Sequence, residues 1–240
     1  MKVFIMGDLH LSFSTNKPMD IFGDGWKDHH EKIRENWEAM VGPEDLVFIN
    51  GDFSWAMGLK QADADFAFLQ RLPGKKVISK GNHDYWWGTM NKMKGFLEEK
   101  GYDTIDFLHN NAYLVGDTAI CGTRGWFVDE GDTTGQNQKV FQREVQRLAT
   151  SLQAGKDLGA KELIAVLHYP PLYPGYRCDE IIETMERFGV KHCYYGHLHG
   201  PSHRKAVTGE REGICYHLTS CDATGFAPVL VLEEENGEKL

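Results

Sequence analysis

Residues 3–10 of the chain, with the sequence VFIMGDLH, contain the pattern on which the fold prediction depends. The apolar run from Val3 to Met6 has the length and composition typical of a buried β-strand. Gly7 ends this run, and Asp8 and His10 follow it directly. The first predicted strand therefore brings two possible metal ligands to its carboxyl end.

Similar β-rich runs recur along the chain and indicate a sheet protein with helices between many of the strands. The further strands are predicted at Leu46 to Asn50, Lys75 to Ser79, Thr118 to Cys121, Leu163 to Leu167, His192 to Tyr195, Ile214 to Leu218 and Val229 to Leu232. A helix that begins near Asp28 has an apolar stripe formed by Ile33, Trp37, Met40 and Val41. Stripes of the same kind predict helices within residues 62–72, 141–152 and 181–188. The pattern indicates an α/β protein.

The composition is typical of one globular domain. The chain has 240 residues, of which 41% are hydrophobic and 25% are charged. No repeat, low-complexity tract or flexible linker divides it, so we predict a single domain spanning residues 1–240. Its apolar runs are far shorter than the ~20 residues that a bilayer requires, and no signal peptide is predicted. We therefore expect no association with a membrane.

Charge and cysteine content limit the expected partners. The formal net charge of −9 does not favour nucleic acid as a partner, because non-specific binding to phosphates requires basic residues. The five cysteines include no CxxC pair, so neither a disulfide framework nor a thiolate zinc knuckle is predicted. These features predict a cytoplasmic protein. They predict no particular oligomeric state.

Possible metal ligands follow five of the predicted strands. They are Asp8, His10, Asp52, Asn82, His168, His197 and His199. Ligands gather at the carboxyl ends of strands in open α/β sheets, so these seven residues can contribute to one site. Two carboxylates, four imidazoles and one amide exceed the needs of a single ion, and ligation by nitrogen and oxygen suits Mn, Fe, Zn or Co. A bridging carboxylate can hold two ions ~3.5–4 Å apart, which is the spacing used for displacement at phosphorus.

Each of these short motifs also has an ordinary structural explanation. The Asp8 motif can cap a helix, Gly81 to Asp84 can form a turn, and His168 can be a hydrogen-bonded core histidine. Their repeated position after a strand favours the metal site.

Together the motifs resemble the calcineurin-like metallophosphoesterase superfamily, whose signature is DxH, GD, GNH[DE], a lone His and GHxH. All five blocks are present between Asp8 and His199. The resemblance implies a four-layer α/β/β/α sandwich with two mixed sheets and a dinuclear metal site at the strand ends.

The resemblance also implies roles for individual residues. Asp8, His10 and His199 would bind one ion, Asn82, His168 and His197 would bind the other, and Asp52 with a hydroxide would bridge them. The hydroxide would attack phosphorus, His83 would protonate or stabilise the leaving oxygen, and Asp84 would orient His83. The purple acid phosphatases of this superfamily have a tyrosine ligand three residues after the bridging aspartate. Trp55 occupies that place, so no tyrosinate-bound Fe(III) is expected.

Aromatic residues and arginines follow several of the ligand motifs and predict the wall of a substrate pocket. The predicted substrate contacts are Arg124, Arg177, His203, Trp55, Trp86 and Trp126. An arginine can pair two oxygens of a phosphate, and aromatic rings can pack against a flat group. Several of these aromatic residues can equally belong to the core beneath the loops.

The sequence therefore predicts an enzyme: a metal-dependent phosphodiesterase or phosphatase that acts on a small phosphoester and binds two ions, with Mn, Fe or Zn as the expected metals. A nuclease of the same fold is an alternative, although no basic groove is visible in the sequence. A binding scaffold that has lost the chemistry is a further alternative from another class.

Overall fold

The computed structural model describes residues 1–126 and 136–234, the side chains of residues 136 and 137 excepted. In chain order, the strands of the described residues are β1 Lys2–Met6, β2 Leu46–Asn50, β3 Lys75–Ser79, β4 Ile105–Phe107, β5 Ala112–Val115, β6 Thr118–Thr123, β7 Glu162–Leu167, β8 Leu172–Tyr173, β9 Tyr176–Arg177, β10 His192–Tyr195, β11 Gly209–Arg211, β12 Ile214–Leu218 and β13 Val229–Glu233. The helices are α1 His29–Met40, α2 Asp63–Arg71, α3 Met90–Lys100, α4 Gln136–Asp157 and α5 Asp179–Phe188, with short 3-10 helices at Met19–Phe22, Asp24–Trp26 and Gly200–Lys205.

The chain divides into two compact units. The first unit comprises Met1–Phe107 and Thr219–Leu240, and the second comprises Leu108–Leu218. The predicted α/β class with two mixed sheets is confirmed, because each unit contains one mixed sheet. The stacking into four layers and the single domain spanning residues 1–240 stay predictions.

The sheet of the first unit has the strand order β13-β1-β2-β3-β4. Strands β1 to β4 are parallel, and β13 lies antiparallel to β1 at one edge. Every residue of β2 is buried, which explains its continuous apolar sequence. Met6 pairs with Ile49, and Ile49 pairs with Ile78, so the carboxyl ends of β1, β2 and β3 lie at the same edge. The segments that carry Asp8, Asp52 and Asn82 all begin at this edge.

The sheet of the second unit has the strand order β11-β12-β10-β7-β6-β5. The four central strands are parallel, and β5 and β11 are antiparallel to their neighbours. Leu167 of β7 pairs with Tyr195 of β10 on one side and with Thr123 of β6 on the other. The segments that begin with Arg124, His168 and Gly196 therefore leave the sheet at one edge. Apolar residues of α4 and α5 form a core with β10.

No helix within the described residues is long and apolar enough to cross a membrane.

Lys76 of β3 is a fully buried cation in the first unit. Its side chain is 0% exposed, and its ammonium group donates hydrogen bonds to the carbonyl oxygens of Leu72 (2.7 Å) and Gly74 (2.9 Å). Burial lowers the pKa of Lys76 from 10.5 to about 8, and nearby Asp103 opposes this effect only in part. The folded protein therefore carries a desolvation cost at neutral pH.

We expect the free energy of unfolding to depend on pH through Lys76. Between pH 8 and 10.5 the unfolded chain holds the proton that the folded chain has lost, so stability rises with pH in this window. The gain is on the order of 3 kcal/mol, since one pKa unit corresponds to about 1.4 kcal/mol. Guanidinium unfolding at several pH values, compared between wild type and Lys76→Met, measures it. Equal pH dependence of the two proteins would contradict the expectation.

Candidate metal centre

In the first unit, Asp8, His10 and Asp52 form a buried cluster. All three side chains are at most 3% exposed. A carboxylate oxygen of Asp8 and a ring nitrogen of His10 lie within 4.8 Å of each other, and His10 Nε2 lies 3.8 Å from Asp52 Oδ2. Burial of carboxylates is costly unless positive charge or hydrogen bonds compensate for it. The cluster therefore has the oxygen and nitrogen donors, and the charge, that suit a divalent cation.

Several predicted ligands have a strained backbone. The φ angles of Asp8 (62°), His10 (46°), Asp52 (52°) and, in the second unit, His197 (71°) lie in the left-handed region. Residues other than glycine rarely adopt this region, at a cost of order 1–3 kcal/mol each, and such residues cluster at functional sites. The ends of β1, β2 and β10 therefore have the backbone conformation that is common at functional sites, although Asp28, Asn110, Glu212 and Phe226 adopt it elsewhere in the chain.

Two glycines allow the strand ends of the first unit to approach each other. A Cβ atom on Gly81 would collide with the carboxylate and the backbone nitrogen of Asp52. A Cβ atom on Gly7 would lie 2.5 Å from Asn50 Oδ1. Both contacts are closer than carbon atoms tolerate. Gly81 is required because it meets backbone of Asp52, whereas a side chain at position 7 would displace the side chain of Asn50.

The carboxylate of Asp84 accepts five hydrogen bonds. The backbone donors are the N–H groups of Asp52 (2.9 Å), Phe53 (3.0 Å), Ser54 (3.3 Å) and Gly81 (2.7 Å), and the indole N–H of Trp86 is the fifth donor (2.9 Å). Asp84 is 1% exposed. Its carboxylate therefore joins the segment after β2 to the segment after β3, and so fixes the backbone of Asp52.

His83 lies beside this network and is partly exposed. Its backbone N–H donates a hydrogen bond to Asp52 Oδ1 (2.8 Å). Its ring lies 4.3 Å from the ring of Trp55 and 5.8 Å from the ring of His10, and its Nδ1 lies 3.4 Å from the hydroxyl of Tyr85. An imidazole in this position can exchange a proton with solvent or with a substrate.

The two tryptophans predicted to contact substrate in the first unit have different surroundings. Trp55 is partly exposed and stacks on the predicted ligand His10 with ring centroids 4.9 Å apart, and its contact with substrate stays a prediction. Trp86 is 2% exposed and packs against Phe53 and Phe66, while its indole bonds to Asp84. This burial corrects the prediction for Trp86, which belongs to the core beneath the loops.

In the second unit, His168 and His197 form a pair. A ring nitrogen of one lies within 4.8 Å of a ring nitrogen of the other, and the ring centroids are 5.2 Å apart. The backbone carbonyl of His168 accepts a hydrogen bond from Gly196 N–H (3.0 Å), which joins the ends of β7 and β10. The ring of Tyr169 lies edge-on to His197 at 4.6 Å. His168 is completely buried, and His197 is partly buried.

His199 and His203 form a second pair in this unit. Ring nitrogens of the two residues lie within 4.8 Å of each other. His203 belongs to the 3-10 helix Gly200–Lys205, whose first turn is closed by a hydrogen bond from Ser202 N–H to His199 C=O (3.0 Å). The turn therefore places the ring of His203 close to the ring of the predicted ligand His199.

Arg124 and Trp126 follow β6 in the second unit. The backbone carbonyl of Arg124 accepts hydrogen bonds from His168 N–H (3.1 Å) and Tyr169 N–H (2.9 Å). Its guanidinium lies 3.7 Å from Glu144 and 5.4 Å from the ring of Trp126. Sequence reasoning missed Glu144, a carboxylate that is 2% exposed and also pairs with Arg147. Glu144 lies one helical turn from Phe141 and one from Leu148, on the apolar stripe of α4. This position in the sequence could have predicted that its carboxylate is buried.

Arg177 has surroundings that do not favour a phosphate contact. It is 39% exposed and forms ion pairs with Asp179 and with Glu212, the second at 2.6 Å. These carboxylates raise the pKa of its guanidinium, so its charge is already compensated. The predicted role of Arg177 in substrate binding has no support in these contacts.

Comparison with known proteins identifies the family of the chain. The calcineurin-like phosphoesterase family matches residues 1–201, and the chain belongs to this family. The chain is similar to a probable cyclic nucleotide phosphodiesterase of Coxiella burnetii, with 22% identity over 84% of this chain and 78% of that protein. It is also similar to the gene 66 protein of Mycobacterium phage D29, with 36% identity over 34% of this chain and 40% of the phage protein. The match thus spans less than half of the phage protein.

Solved structures share the fold. Phosphopantetheinyl hydrolase of Mycobacterium tuberculosis aligns over 97% of this chain and 96% of its own, with a TM-score of 0.52 and 14% identity. Protein TT1561 of Thermus thermophilus aligns over 95% of this chain and 97% of its own, with a TM-score of 0.55 and 12% identity. At these identities the similarity establishes the fold alone.

Proposed function

We propose that this protein hydrolyses a small phosphoester, as a phosphodiesterase or phosphatase, with two bound divalent metal ions. The observation that carries the proposal is the buried cluster of Asp8, His10 and Asp52, three ligand-type side chains on strained backbone at one sheet edge. Membership of the calcineurin-like phosphoesterase family supports the reaction type. The similarity to a probable cyclic nucleotide phosphodiesterase favours a diester among the substrates to test.

The family resemblance supplies the assignment of ligands in this proposal. Asp8, His10 and His199 would hold one ion, Asn82, His168 and His197 would hold the other, and Asp52 would contribute to both. When bound, the ions lower the pKa of a water molecule toward ~7 and neutralise charge on the phosphoryl oxygens. Mn, Fe and Zn all suit a set of nitrogen and oxygen donors.

The protein residues around the ligands have separate tasks in the proposed reaction. His83 donates a proton to the leaving oxygen. Its partial exposure leaves the imidazole accessible to a substrate, and its ring contact with Trp55 helps to orient it. Trp55 covers one face of His10 and limits the orientations open to the His83 ring. Arg124 pairs a phosphate oxygen, while Glu144 holds its guanidinium in place.

Removal and restoration of metal tests the proposal. The protein is stripped with a chelator, supplied with Mn²⁺, and assayed with bis(p-nitrophenyl) phosphate, p-nitrophenyl phosphate, a cyclic nucleotide and single-stranded DNA. We expect turnover of a small phosphoester to disappear with the metal and to return with it. Cleavage of DNA alone would replace the proposal with a nuclease. A protein that retains two ions but hydrolyses none of these substrates, or one that binds no metal, would overturn it.

Replacement of Arg124 tests the substrate contact. We expect Arg124→Ala to lower kcat/KM on bis(p-nitrophenyl) phosphate by about tenfold or more, mainly through KM, because a charge-assisted hydrogen bond to phosphate is lost. Arg147→Ala is the matched control, since Arg147 also pairs with Glu144 but is not a predicted substrate contact. Equal steady-state kinetics of Arg124→Ala and wild type would remove Arg124 from the site.

A further inference from the structure

A second group of metal-ligand side chains lies on the sheet of the second unit. His192 belongs to β10, and Cys215 and His217 belong to the neighbouring strand β12. The strands are parallel, and His192 pairs with Cys215 while Tyr194 pairs with His217. Alternate residues of a strand share one face of a sheet, so Cys215 and His217 project from the same side of β12.

The opposite face of these strands is occupied by the core. Cys193, Tyr195 and Tyr216, which alternate with the residues of the group, are buried in the apolar cluster that includes α4 and α5. The group is therefore on the other face of the sheet from these helices. His192 is exposed, and Cys215 and His217 are partly exposed, so an ion in solution can reach them.

The distances suit a shared ion. One ligand atom from each of the three residues lies within 4.8 Å of the other two. His192 Nδ1 lies 3.1 Å from His217 Nε2. Two nitrogens bound tetrahedrally to zinc at about 2.0–2.1 Å lie roughly 3.3 Å apart, so this pair is already close to the required separation.

The rings are held in this arrangement by stacking. The ring of His217 stacks on Tyr194 at 4.4 Å, with an angle of 13° between the planes. Burial, together with the neighbouring His192, lowers the pKa of His217, which favours the neutral imidazole that a metal requires. Cys215 is the one cysteine among the five that is not buried, and thiolate is the ligand that zinc prefers beside imidazole.

We propose that His192, Cys215 and His217 form an additional metal site for a borderline-soft divalent cation such as Zn²⁺. Three protein ligands leave the fourth tetrahedral position to water. The bound ion links β10 to β12. His192 is the first residue of β10, whereas the predicted ligand His197 lies beyond the last residue of that strand, Tyr195, and the strand itself spans roughly 10 Å at ~3.3 Å per residue. The proposed site is thus separate from the candidate metal centre.

Cobalt substitution tests this site in the full-length protein. Only a thiolate ligand gives the near-ultraviolet sulfur-to-cobalt charge-transfer absorption, and the seven predicted ligands of the candidate metal centre include no cysteine. We expect Co²⁺ to produce this absorption in wild type and an excess of Zn²⁺, enough to fill the candidate metal centre as well, to abolish it. Cys215→Ser is expected to lose the absorption completely, and the double variant His192→Gln/His217→Gln to lose most of it. Cys178→Ser, which replaces a buried cysteine elsewhere in the unit, is expected to keep it.

Alkylation of Cys215 gives a second measurement that does not depend on the charge-transfer absorption. Zn²⁺ should slow the reaction of Cys215 with iodoacetamide in wild type, measured by mass spectrometry of the peptide. It should have no effect on that reaction in the double variant His192→Gln/His217→Gln. Absence of the charge-transfer band in wild type, or its survival in Cys215→Ser, would overturn the proposal. The two histidines would then form only a hydrogen-bonded pair.

Discussion

Asp52→Asn is expected to lower metal-dependent turnover of bis(p-nitrophenyl) phosphate by about a thousandfold or more. In the proposed mechanism this carboxylate would help to hold both ions, and loss of their charge would remove several kcal/mol of transition-state stabilisation. Asparagine has nearly the same shape, so Oδ1 can still accept the hydrogen bond from His83 N–H. Steady-state kinetics and elemental analysis of the purified variant measure the two effects together. We expect the metal content to fall with activity.

The control for this variant removes an equivalent charge elsewhere in the first unit. Asp45 accepts hydrogen bonds from the backbone N–H groups of Lys2 (2.7 Å) and Gly42 (2.8 Å) and is not among the predicted ligands. Asp45→Asn is expected to keep full turnover and full metal content. An Asp52→Asn protein with turnover within tenfold of wild type would exclude the bridging role of Asp52.

Much of the fold could be predicted because the central strands are buried on both faces. Each of the eight predicted strands is present, and four of them have the predicted bounds: Leu46–Asn50, Lys75–Ser79, His192–Tyr195 and Ile214–Leu218. The four predicted helices are also present. The edge strands β5 and β11 were missed because they have only four and three residues, too few to show a clear alternating pattern. Helix α3 was missed although Met93, Phe96 and Leu97 lie on its buried face at the three- and four-residue spacing of a helix.

The ligand types of the candidate site could be predicted, but their supporting contacts could not. A glycine followed by a ligand-type residue after a strand is visible in a linear sequence, and this order selected Asp8 and Asp52 as candidates, whereas His168 was selected by its position directly after a strand. The position of the Asp84 carboxylate depends on which N–H groups the turn after β2 leaves unpaired, and this is a property of the folded turn. For the same reason the sequence did not separate Trp55, which stacks on His10, from Trp86, which is buried beside Asp84.

Asp84→Asn is expected to destabilise the protein by about 3–5 kcal/mol. The asparagine side chain keeps one acceptor oxygen and replaces the other with an N–H₂ donor, which cannot accept hydrogen bonds. Asp84 Oδ2 accepts the N–H groups of Asp52 and Gly81, and Oδ1 accepts three further donors. At least two buried donors therefore lose their partner, at about 1–3 kcal/mol each, in addition to the lost charge. Guanidinium unfolding measures the loss, and turnover is expected to fall with it because the backbone of Asp52 is released.

Two further variants separate this structural role from the one that the family resemblance implies, in which Asp84 orients His83. Trp86→Phe keeps an aromatic ring in the core and removes one of the five donors, so it is expected to cost only ~1 kcal/mol. His83→Ala should lower turnover while leaving the free energy of unfolding within ~1 kcal/mol of wild type, because this side chain is partly exposed. If Asp84→Asn behaved like His83→Ala, with turnover lost and stability retained, Asp84 would act on the imidazole alone. A loss of both properties identifies Asp84 as the residue that holds the two ligand segments together.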